Sequence, residues 1–223
     1  MIQAKRDLNF STVRTALILF YSVGTIGFLV PSTLDFFKSI ISYALIFNFV
    51  LLAFFRDHTT DRKQLLVFGS IYLLGMLIEV LGVQTKVVFG DYWYGDALGL
   101  KVAGTPLLIG LNWLFLVYTT SSLFNTYRLH WLFKALLSSF TMLLYDFLLE
   151  QIAPHLDLWY WKNNVVPFQN YFVWFVVAVL FNLLFVVYKV NTTNKMSKFI
   201  LMIQSLFFLF IYLRFLMGDS VIN

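Results

Sequence analysis

The sequence predicts an all-α fold: a polytopic membrane bundle of about seven transmembrane helices, with the N-terminus in the cytoplasm. Three observations carry this. Of 223 residues, 60% are apolar and only 12% are Asp, Glu, Lys or Arg, where an average soluble domain carries roughly 25% charged residues. A soluble fold of this size lacks the interior to hide so much apolar surface. Seven apolar runs also reach the length of about 20 residues that a spanning helix needs, and the cations divide unequally between the two sides those runs define.

The runs are 15–31, 36–55, 64–83, 106–124, 131–150, 168–188 and 199–217. The first follows Lys5, Arg6 and Arg14 as a signal peptide would. Val30-Pro31-Ser32-Thr33 offers no small-residue cleavage site, however, so the run is read as an uncleaved anchor. Pro106 is ordinary punctuation at the start of the fourth run. Two connections are long, 84–105 and 151–167, and they hold most of the unusual residues. With no linker, low-complexity tract or repeat, 1–223 reads as a single transmembrane helical domain.

Orientation follows from the cations. With the N-terminus inside, the inner side receives eleven: Lys5, Arg6, Arg14, Arg56, Arg62, Lys63, Arg128, Lys134, Lys189, Lys195 and Lys198. The outer side receives five: Lys38, Lys86, Lys101, Lys162 and Arg214. The net charge of +5 is therefore topological, and no nucleic-acid partner is expected. The acids lean the other way, since all but Asp7, Asp57 and Asp61 fall at or toward the outer side.

Several chemistries are excluded. There is no cysteine, hence no disulfide, thiolate nucleophile or iron–sulfur ligand set. His58, His130 and His155 are too few and too scattered for a histidine-rich di-iron site, and His155 after Pro154 reads as a solvated loop residue. The eleven glycines include no GxGxxG and no GxxxxGK[ST]. Neither a metal nor a redox or nucleotide cofactor is expected.

Carboxylates within a span cost about 2.5–3.5 kcal/mol each on insertion scales, so each needs a reason. Glu79 lies 15 residues into the third run (79 − 64) and Asp146 15 residues into the fifth (146 − 131). Both runs travel outward, which places both acids roughly 22 Å along their helices, in the outer third of the bilayer. Glu150 shares the face of Asp146 one turn further out. Gly75, one turn before Glu79, leaves open space on that face, and Asn112 is a candidate hydrogen-bond partner at similar depth. One reading makes the trio static ion-pair partners of Lys86, Lys101 or Lys162. The other makes them acid–base groups, because a carboxyl in apolar surroundings can keep its proton and deliver it.

The long connections supply aromatics: Phe89-Gly90-Asp91-Tyr92-Trp93-Tyr94-Gly95-Asp96, then Trp159-Tyr160-Trp161 and Pro167-Phe168-Gln169-Asn170-Tyr171 with Trp174. Trp and Tyr at a membrane edge form an ordinary belt. This belt is lopsided, since every Trp except Trp131 falls on the outer side. Aromatic faces beside buried acids also suit a reaction through a carbocation.

From about Leu74 to Trp174 the chain resembles the bacterial and archaeal integral-membrane carotenoid biosynthesis proteins, of which the carotenoid hydratases are the best-known type. The resemblance rests on Glu79-x-x-Gly82, Phe89-Gly90-x-Tyr92-x-Tyr94, Leu98-Gly99, Gly104-x-Pro106, Asp146-x-x-x-Glu150-x-x-Ala153, Trp159-x-Trp161 and Pro167-x-x-Asn170-Tyr171-x-x-Trp174. Gln151 departs from an expected Pro, and Thr105 from an expected Val. The resemblance implies a cofactor-independent hydro-lyase that adds water across the terminal double bond of an acyclic or monocyclic carotenoid ψ-end. Fitted to the residues found above, that chemistry gives Glu79 and Asp146 as the expected acid/base pair and Glu150 as a supporting or water-binding carboxylate. Asn112 and Asn170 are expected to orient, and Tyr92, Tyr94, Trp159, Trp161, Tyr171 and Trp174 to bind substrate. The implied partners are a carotenoid or other isoprenoid lipid, membrane lipid and other enzymes of the pigment pathway. The implied place is the cytoplasmic membrane of a bacterium or archaeon. Such a site must be dry and fed from lipid, which calls for an outer-leaflet pocket reached by slots between helices.

Two alternatives stand beside it. A membrane isoprenoid cyclase would trap the same cation with a neighbouring double bond. An ion or proton transporter would relay charge through the acids, although Asn48 and Asn182 are the main polar groups deeper in the bundle. A retinal-binding protein needs a lysine in the last span, and 199–217 has none.

Overall fold

The computed structural model describes residues 9–56 and 59–219. Lys5, Arg6, Asp7, Asp57 and His58, which enter the charge and histidine readings, lie outside the described residues. Among the described residues the helices are α1 (Phe10–Leu29), α2 (Leu34–Phe54), α3 (Arg62–Thr85), α4 (Leu108–Phe124), α5 (Trp131–Glu150), α6 (Phe168–Val187) and α7 (Ser197–Asp219). Six are long and apolar enough to cross a membrane, while α4 has 17 residues. The all-α bundle is as the apolar runs predict. Local chemistry sets the ends: Asn9 accepts from the Ser11 N–H (3.0 Å) to open α1, and Asp61 accepts from the Gln64 N–H (2.7 Å) to open α3. Each such cap is worth about 1 kcal/mol.

The fourth helix starts two residues later than its apolar run. Lys101–Val102 (β2) and Thr105–Pro106 (β3) pair antiparallel, and the Leu107 N–H donates to the Leu100 carbonyl at 2.9 Å. Helical bonding therefore begins only at Leu108. Residues 113–120 of α4 are all buried, and α4 packs against α3, α5 and α7, touching α2 and α6 as well. A helix buried on every side is the centre of its bundle, and its neighbours shield it from lipid. Several polar groups along this centre are partnered, as a lipid-excluded interior requires. Thr119 and Thr120 donate to the carbonyls of Phe115 (2.8 Å) and Leu116 (2.7 Å); Ser121 donates to Asn182 (2.6 Å), which donates to Ser139 (3.1 Å).

The two long connections meet over one end of the bundle, which the all-α expectation does not include. Tyr92–Tyr94 (β1) pairs antiparallel with Trp159–Trp161 (β4), in the register Tyr92↔Trp161, Trp93↔Tyr160 and Tyr94↔Trp159. Alternation along a strand sends successive side chains to opposite faces. Tyr92, Tyr94, Trp159 and Trp161 consequently share the inward face, while Trp93 and Tyr160 stack outside with ring centres 6.0 Å apart. Asp157 pins the ladder from its end, accepting from the Asp96 N–H (2.9 Å) and the Tyr160 hydroxyl (2.7 Å).

Candidate active site

Beneath the ladder, Glu79 of α3 and Asp146 and Glu150 of α5 line one small cavity, with 1%, 2% and 6% of their surfaces exposed. The inward face of the ladder reaches two of these carboxyls. Tyr92 and Tyr94 donate their hydroxyls to Glu79 Oε2 at 2.7 and 2.8 Å, and the Trp113 indole donates to Glu79 Oε1 at 3.0 Å. Trp159 and Trp161 donate their indole N–H groups to Glu150 Oε2 at 2.9 and 2.7 Å, and Asn170 donates to Glu150 Oε1 at 3.0 Å. Each glutamate thus collects three side-chain donors. Asp146 differs, for its Oδ2 is buried with no hydrogen-bond partner. Burial raises the Tyr92 and Tyr94 phenols far above their ordinary value, and the neighbouring Glu79 adds to the effect, so both remain donors.

The cavity holds about 20 Å³, room for about one water molecule. Asn112 lines it but, among the described residues, makes no hydrogen bond to the three carboxyls. Trp174 also lines it, stacked on Trp113 with ring centres 3.8 Å apart. Tyr171 does not: it is half-buried, with its ring 5.7 Å from that of Phe147.

The lysines are engaged elsewhere. Lys86 and Lys162 pair with Asp91 at 2.8 and 3.2 Å, and Lys101 with Asp96 at 2.7 Å. The hydrogen bond from Lys86 is the largest influence holding Asp91 below the usual carboxylate range, and Lys101 does the same for Asp96. These pairs pin the connections and leave the two glutamates to neutral donors. His155 is not simply solvated: it is half-buried and stacks on Phe215 at 4.0 Å.

Trp113 is the residue that sequence reasoning missed. The space read as open beside Gly75 is its seat, since a Cβ at Gly75 would come within 2.9 Å of the indole Cδ1. A glycine one turn before a buried acid was the available signal for a large neighbour. Gly82 plays the same part for Tyr92: a Cβ there would lie 2.6 Å from Phe89 Cδ2 and 2.8 Å from the Tyr92 hydroxyl. Gly82→Ala is expected to push that hydroxyl off Glu79 and to cost about 1–3 kcal/mol, the usual overpacking penalty. Thermal unfolding in detergent micelles checks this against Gly69→Ala, where an added Cβ meets nothing within 4 Å. Equal melting of the two variants would show the close approach to be dispensable.

Residues 40–222 match a family described as carotenoid biosynthesis protein, a range that contains every residue lining the cavity. No curated protein and no solved structure matches the chain.

Proposed function

The chain belongs to the carotenoid biosynthesis protein family, and from that membership we propose that it is a hydratase of acyclic carotenoid ends. The observation that carries this reading is the contrast among three carboxyls around one water-sized cavity. Glu79 and Glu150 each receive three donors, the surroundings a carboxylate needs, whereas Asp146 Oδ2 receives none. A buried charge without donors is expensive, so Asp146 is assigned the proton to be delivered.

Asp146 protonates the less substituted carbon of the terminal double bond, leaving a tertiary cation and an Asp146 carboxylate. Water held by Glu150 and Asn170 attacks the cation and loses a proton to Glu79, and the C–O bond completes a tertiary alcohol. The proton then returns from Glu79 to Asp146, so each turnover consumes only the alkene and water. The carbocation sits among the faces of Tyr92, Tyr94, Trp159 and Trp161 and beside the carboxylates of Asp146, Glu79 and Glu150, and rings and carboxylates alike favour positive charge. The cation distribution orients the ladder end outward in a bacterial or archaeal cytoplasmic membrane.

Expression in a bacterium that accumulates lycopene, followed by mass analysis of the pigments, tests the proposal. A product heavier by one water is expected. An isomer of unchanged mass would indicate cyclisation instead, and unchanged pigment would sink the reading.

A further inference from the structure

The cavity beneath the ladder holds about one water, so the long chain of any lipid substrate must lie elsewhere and the cavity must widen to admit its reacting end. A far larger space, about 650 Å³, runs between α1, α2 and α7. Its walls extend along α1 from Ala16 to Phe28, about 18 Å at the helical rise. It is lined by Phe, Leu, Ile and Val with few polar atoms. The wall supplied by α2 is the least buried of the spanning helices.

Three spaces share lining residues in series. Leu45 lines the large groove and also a narrow seam between α2 and α4. Asn112 lines that seam and also the carboxyl cavity. The seam has room for only about 10 Å³, with Phe49, Leu108, Leu111 and Phe115 completing its walls. A path of shared residues therefore leads from a lipid-facing apolar groove, past Leu45 and Asn112, to Asp146.

We propose that the α1–α2–α7 groove holds the isoprenoid chain of the substrate, and that its terminal alkene enters the carboxyl cavity through the α2–α4 seam. The assignment rests on the isoprenoid-lipid reading of the site, and continuity with that site selects the substrate over a bulk lipid chain as the occupant. A linear polyene suits the groove because both are long and apolar. Asn112, at the mouth of the seam, is where the alkene would leave hydrocarbon and meet polar atoms.

The test uses the full chain expressed with lycopene, measuring both the lycopene retained by the detergent-washed protein and its conversion. Ala44→Phe and Gly24→Leu fill the groove, where a Cβ at Gly24 first meets Phe207 at 3.4 Å, and thermal unfolding of each purified variant verifies that the fold survives. Both are expected to lower retained lycopene and conversion by about tenfold. Leu45→Trp, at the junction, is expected to keep lycopene bound while lowering conversion about tenfold. Ile46→Trp, on the exposed face of α2, should change neither. Wild-type retention and conversion in both groove variants would overturn the proposal, as would a wild-type protein that retains no lycopene. If lycopene is retained in a groove-dependent way but never converted, the groove assignment stands and the hydration reading falls.

Discussion

Asp146→Asn is expected to lower conversion by two to four powers of ten, about the range for a lost general acid, while leaving insertion and thermal stability close to wild type. The reason lies in what Asp146 lacks. No donor points at its Oδ2, so the nearly isosteric amide strands no partner and only the transferable proton is removed. Pigment analysis in the lycopene-accumulating host, read beside a melting curve of the purified variant, checks both halves. Full conversion would remove Asp146 from the mechanism; inactivity accompanied by collapse of the fold would show that its role is structural.

Glu79→Gln is expected to differ in kind. It should lower conversion by about two orders of magnitude or more and also destabilise the protein by about 1–3 kcal/mol, the cost of an unsatisfied buried donor. Three donors converge on the Glu79 carboxyl, and an amide offers them one acceptor oxygen in place of two. If the amide nitrogen faces Trp113, the indole N–H has no other lone pair to use. If it faces Tyr92 and Tyr94, those hydroxyls must turn to accept, breaking the pattern that holds β1 over the site. Melting separates the two aspartate and glutamate outcomes: Asp146→Asn inactive and stable, Glu79→Gln inactive and loosened. Activity retained in Glu79→Gln would transfer the base to another group.

The meeting of Glu79, Asp146 and Glu150 was legible because helical rise is arithmetic: equal distance into two runs of the same direction means equal depth. Seven helices were legible for a similar reason, since lipid demands apolar length; that the fourth has only 17 residues was not, because residues 101–106 pair as strands before it. The donors to Glu79 were less so. Trp113 lies where α4 is buried on all sides, and such a helix has no polar face to show which apolar residue points at the site. The ladder is hidden differently. Its strands are three residues each, too short for periodicity to register, and their pairing joins segments separated by two helices. The alternation of aromatic residues in Tyr92-Trp93-Tyr94 and Trp159-Tyr160-Trp161 is visible in the sequence, but nothing in it names the partner strand.

The ladder over the site is a two-stranded sheet of three pairs, and such a sheet standing alone is marginal in water. Four of its six side chains end on Glu79 or Glu150. Its persistence is therefore lent to it by the carboxyls it covers, which act as its latch. The roof cannot lift without each glutamate losing two of its three donors, so on the proposed reading opening to solvent and switching off the reaction are one event. On the proposed reading, proton delivery is thereby confined to the closed site and its single water: whenever bulk water can enter, the carboxyl arrangement assigned to that step has already come apart.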